Sequence, residues 1–170
     1  DAAQRFAEAA RRTGDSVDHE LAMVKAARGD VGGAIADLER GLSTPISEGV
    51  RGTFEGVFER VFQASSLAWL YVLAERPDAI EPMLAAVERE LVDAGARVHV
   101  LALQRLRAEL LLERGHIGDA VAVTEAAIEA AIEAADPRIE RSLRVTRLQL
   151  ALVAGDAPTA DALAAALLAE

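Results

Sequence analysis

The feature that most constrains this chain is a recurring unit: an apolar helix ends, the chain turns tightly, and a second amphipathic helix follows. Four such places occur. Leu21 to Arg28 leads through Gly29-Asp30 into Gly33 to Leu42. Leu67 to Ala74 leads through Glu75-Arg76-Pro77 into Ala79 to Leu91. Leu106 to Arg114 leads through Gly115-His116 into Ala120 to Ala131. Leu143 to Ala154 leads through Gly155-Asp156 into Ala160 to Leu168. The turn markers Gly29, Glu75, Gly115 and Gly155 stand 46, 40 and 40 residues apart. Self-similarity at such a period belongs to stacked helical hairpins, where each unit completes its core against its neighbours.

The turn chemistry is consistent. A glycine just past a helix can adopt positive φ and close the last carbonyls. Asp30 and Asp156 suit N-caps. Pro77 and Pro158 suit a first helical turn. Asp136-Pro137 ends one helix and starts the next. Alanine, a strong helix former, supplies 37 of 170 residues. The expected elements are nine helices, about 2–12, 16–28, 31–43, 48–75, 77–94, 97–114, 117–135, 137–154 and 158–169. Their hairpins are about 16–43, 48–94, 97–135 and 137–169, in a single domain over 1–170. Pro82 falls inside an expected helix, where a kink is predicted. Helix 137–154 is apolar on two sides, with Ile139, Leu143, Leu150 and Val153 against Val145, Leu148 and Leu152, so packing on two sides is predicted.

The net charge of −10 disfavours direct nucleic-acid binding and binding to anionic membrane surfaces. No apolar run is long enough for a membrane span. The absence of cysteine removes disulfides and thiol chemistry. His19, His99 and His116 are never four residues apart, so no helical metal pair forms. No catalytic residue, metal or cofactor is nominated. The chain opens and closes within helical pattern, so a fragment of a longer protein is expected.

The hairpins resemble tetratricopeptide repeats. Ala22, Gly29 and Ala34 match the family's small–turn–alanine spacing, as do Ala108, Gly115 and Ala120. The fourth hairpin keeps Gly155 and Ala160 but has Leu148 at the small position. The second keeps Ala68 and Tyr71, with Glu75 and Ile80 at the other two. The resemblance covers about residues 16–170. The period of 40 or more exceeds the family's 34, and is similar to the arrays of large LuxR-type, MalT-like and SARP-type bacterial regulators. The resemblance implies an all-α, right-handed α-solenoid in a cytoplasmic protein, one that senses a small-molecule effector or binds a protein or peptide. A pure scaffold is the alternative. No Gly-x-x-x-x-Gly-Lys-Ser/Thr loop is present, so the ATPase of such regulators lies outside this segment. Homo-oligomerisation is open.

The family binds on a concave face lined by each hairpin's first helix. That rule points to His19 and Met23; Phe62, Ser65, Trp69 and Val72; Arg105, Glu109 and Leu112; and Ser142, Val145, Gln149 and Leu152. Independently, Phe54, Phe58, Phe62 and Trp69 fall within about 80° of a helical wheel. The candidate binding set is therefore Met23, Phe58, Phe62, Ser65, Trp69, Arg105, Glu109 and Gln149. An aromatic stripe at helical spacing is more often core than groove, and both readings stand at this point. The arginines at 138, 141, 144 and 147 read as a solvated face paired with nearby acids, with a phosphate or acidic-peptide site as the rival.

Overall fold

The computed structural model describes residues 18–44 and 54–169. They form eight α-helices: α1 (Asp18–Ala27), α2 (Val31–Ser43), α3 (Phe54–Leu73), α4 (Ile80–Asp93), α5 (Arg97–Glu113), α6 (Ile117–Glu133), α7 (Pro137–Ala154) and α8 (Ala157–Ala169). No strand occurs among the described residues. The fold is all-α. The expected helix over 2–12 lies outside the described residues, as does the start of the expected helix at 48. The chain divides into two compact units, Asp1–Ala96 and Arg97–Glu170.

In unit 1, α1 packs on α2, α2 on α3 and α3 on α4, and α1 also touches α3. Unit 2 repeats the scheme: α5 on α6, α6 on α7, α7 on α8, with α5 also against α7. Each unit is thus two successive hairpins whose first helices meet. The alanines of the repeat pattern explain how helices come close. Ala22, Ala34, Ala68, Ala108, Ala120 and Ala160 are all buried. Leucines fill the space between them, with Leu38, Leu67 and Leu84 fully enclosed in unit 1 and Leu103, Leu143 and Leu150 in unit 2.

All the short turns share one backbone device. The residue after the helix is left-handed at Gly29, Gly95, Gly115 and Gly155, with φ from 70° to 89°. Glu75 and Ala135 do the same work without being glycine, at φ 55° and 52°. Their Cβ atoms oppose that conformation. Glu75→Gly and Ala135→Gly are each expected to stabilise by about 0.5–1 kcal/mol, measured as an increase in the urea midpoint. The two predicted caps form, with Asp30 accepting from Gly33 N at 2.9 Å and Asp156 from Thr159 N at 3.2 Å, and Asp136 adds a third by accepting from Arg138 N and Ile139 N.

Two expectations are corrected. Pro77 opens a short 3-10 turn over Pro77–Ala79, and α4 proper begins at Ile80. Pro82 therefore sits in the first turn of α4, where its missing N–H breaks no helical bond, so the cause of a kink is absent. Helix α7 buries Leu143 and Leu150 but leaves Val145, Leu152 and Val153 exposed. Its partners α5, α6 and α8 cover one broad side only, so two-sided packing does not hold.

Asp37 ties α1 to α2. Its buried carboxylate accepts from Lys25 Nζ and, at 3.1 Å, from Arg40 Nη1. Burial alone pushes the carboxyl up, but the hydrogen bonds and charges of Lys25 and Arg40 outweigh it and hold it below its ordinary 3.8. Because the folded value is depressed, this stabilisation is present above about pH 4 and is lost as pH falls through the folded pKa. Asp37→Asn is expected to cost about 1–3 kcal/mol at pH 7. Urea midpoints of the two proteins should draw together towards pH 3.

Candidate functional site: the aromatic face of unit 1

Helix α3 inverts the usual order of inside and outside. In the run Phe58-Glu59-Arg60-Val61-Phe62-Gln63, the two phenylalanines are 49% and 46% exposed. Arg60 and Gln63, polar and on the opposite side, are 5% and 4% exposed. Trp69 continues the exposed stripe, and Leu73 extends it past the aromatics. Phe58, Phe62, Trp69 and Leu73 lie within about 60° of one another around the helix. The core side of α3 is instead Val57, Ala64, Leu67, Ala68, Leu70 and Tyr71. Of the two readings left open, core and groove, the exposure of Phe58, Phe62 and Trp69 places these three side chains outside the core of unit 1. Phe54 opens α3, and its side chain is outside the described ones.

The rings are organised. Phe58 and Phe62 are tilted neighbours with centroids 5.6 Å apart. His19 of α1 meets Phe62 edge-on at 4.7 Å, joining the two first helices of unit 1. Its Nδ1 lies 3.0 Å from Glu20 Oε2. Met23, also on α1, is exposed. Ser65 is half-buried and donates back to Val61 O at 2.8 Å, so its hydroxyl is already used within the helix.

The nominated residues divide between the units. Met23, Phe58, Phe62, Ser65 and Trp69 belong to unit 1, and Arg105, Glu109 and Gln149 to unit 2. In unit 2, Arg105 Nε pairs with Glu109 Oε1 at 3.2 Å, and its Nη1 donates to Ser142 Oγ at 2.9 Å. This joins α5 to α7. Gln149 is exposed on α7. Three of the four arginines of α7 are occupied: Arg144 pairs with Glu140, Arg147 reaches Glu125 of α6 at 3.0 Å, and Arg141 meets Leu167 O at 3.4 Å.

Sequence reasoning missed a polar wall on the other side of α3. Arg60 Nη1 donates to Gly41 O at 2.8 Å and its Nη2 to Thr44 O, capping the carbonyl end of α2. The same Nη2 pairs with Glu90 Oε1 of α4 at 3.2 Å. Nothing in the pattern distinguished this arginine from a solvated one. Tyr71 Oη donates to Glu39 Oε1 at 2.8 Å, and Arg76 Cζ stands 4.9 Å over its ring. Burial first, and then Glu39, push the phenol up to about 12. Tyr71 is the only tyrosine, so an ultraviolet titration reads it alone. Only a minor phenolate band is expected at pH 11 while the fold persists, against a dominant one for an ordinary phenol. The raised folded value means this stabilisation is complete below pH 10 and lost as pH rises towards 12.

Among the described residues, no group of three or more His, Asp or Glu is placed to hold a metal ion, and no helix is long and apolar enough to cross a membrane. No protein-family model, no curated protein and no solved structure matches the chain.

Proposed function

We propose that this chain is a recognition module, the signal- or partner-binding helical array of a cytoplasmic bacterial transcription regulator, working through the face formed by α1 and α3. One observation carries the reading: α3 exposes Phe58, Phe62 and Trp69 while burying Arg60 and Gln63. Large apolar side chains gathered on one open face are the mark of an interaction surface. The tetratricopeptide-like reading of the hairpins is supported, within each unit, by the shared left-handed turn residue and by first helices that meet.

The occupant that fits is an amphipathic helix with apolar and basic faces. From Phe58 to Trp69 the stripe runs about 16 Å along α3, three turns of helix, and Met23 is exposed on α1, the helix that His19 joins to Phe62. The described residues of unit 1 carry thirteen acidic and six basic side chains. That field attracts a basic partner and speeds its arrival. The open geometry also favours a pure scaffold role over an enclosed metabolite pocket on this face.

Trp69 is the only tryptophan. Titration with a leucine–lysine amphipathic peptide should give a saturable blue shift of its emission, absent with a leucine–glutamate peptide. A Trp69→Phe control defines the background. Emission that ignores the basic peptide, or responds equally to the acidic one, overturns the proposal.

A further inference from the structure

A cleft of about 650 Å³ lies within unit 1 between α2, α3 and α4, and shares no lining residue with the aromatic face. We propose that it is a second binding site, for a small organic cation with an unbranched apolar body. The volume is that of ordinary ligand pockets. Leu42, Leu67, Met83 and Val87 supply an apolar strip, and Glu39 and Tyr71 form a polar corner.

That corner already recognises a cation. Arg76 stands over the Tyr71 ring at 4.9 Å, with its Nη2 3.5 Å from Glu39 Oε1. The Tyr71 hydroxyl holds the Glu39 carboxylate in place from 2.8 Å. A carboxylate fixed beside an aromatic face is the chemistry that binds ammonium groups. Arg76 stands outside the cleft lining, is half-exposed, and its bond is at the limit of hydrogen-bond length, so it leaves the Glu39 carboxylate open to an ammonium in the cleft. Arg60 does not repel the ligand's charge. Its charge is offset by Glu90, and its Nη1 and Nη2 are engaged by the carbonyls of Gly41 and Thr44, while its Nε is buried without a partner. The acidic excess of unit 1 acts in the same direction.

The chain's two methionines separate this site from the aromatic face, since Met83 lines the cleft and Met23 lies on the face. With the full chain labelled at the methionine methyls, hexylammonium should shift the Met83 signal saturably in the millimolar range, and hexanoate should not. Met23 should stay still. Glu39→Gln keeps an acceptor for Tyr71 but removes the charge, and should weaken binding about tenfold. Ala86 is an exposed residue of the cleft wall, so Ala86→Trp should block binding with the thermal midpoint unchanged. A silent Met83, an equal response to hexanoate, or undiminished binding by Glu39→Gln overturns the site. Movement of Met23 alone also overturns it, while leaving the aromatic face in play. Peptide binding that fails on the face leaves the cleft result unaffected.

Discussion

Arg60→Ala is expected to lower the stability of unit 1 by about 3–5 kcal/mol. The side chain joins three helices: it caps the carbonyls of Gly41 and Thr44 at the end of α2, belongs to α3, and pairs with Glu90 of α4. Removing it leaves Glu90 without its counter-ion and the Thr44 carbonyl without its donor, while the Gly41 carbonyl keeps the Thr44 N–H at 3.2 Å. Buried groups stripped of partners cost more than the bond they lost. Arg60→Lys retains the charge but not the fork, and should fall between wild type and alanine. Removing both partners together, in Arg60→Met with Glu90→Met, should recover much of the loss, because no charge is then stranded. Trp69 lies in unit 1, so its emission follows unfolding of that unit, while circular dichroism follows both. A cost below about 1 kcal/mol would show that the guanidinium is solvated rather than structural.

Phe58→Ser combined with Phe62→Ser is expected to weaken binding of the basic amphipathic peptide at least about 100-fold. The same change should leave the urea midpoint within about 1 kcal/mol, since both rings are nearly half exposed. Core phenylalanines would behave in the opposite way, costing several kcal/mol each on truncation. The pair of readouts therefore separates a binding face from a core. Loss of stability together with loss of binding would assign the rings to packing.

The hairpins were legible because their signals are local. A glycine at positive φ, an aspartate cap and an alanine at a close approach each depend on a few neighbouring residues. Glu75 was recognised as a turn residue only by its place in the repeat, since its side chain disfavours the conformation it adopts. The orientation of α3 was not legible in the same way. Phe58, Phe62 and Trp69 share a stripe on any helical wheel, but the wheel does not say which side faces the core. Val57, Ala64, Leu67 and Leu70 form a second apolar stripe, and partner helices chose that one. Arg60 and Glu90 lie thirty residues apart in the sequence and meet only through tertiary packing. The Glu39–Tyr71–Arg76 corner has the same origin. Pairings of this kind leave no periodic trace. Helix α7 shows the converse limit, because two apolar sides in the sequence need not both find a partner.

The central claim is that the α1–α3 face is open until a partner covers it. Acrylamide quenching of Trp69, alone and at saturation with the basic amphipathic peptide, tests it most directly. Ready quenching of the free chain and strong protection in the complex are expected. A tryptophan already shielded in the free chain, or equally quenched with and without peptide, would contradict it.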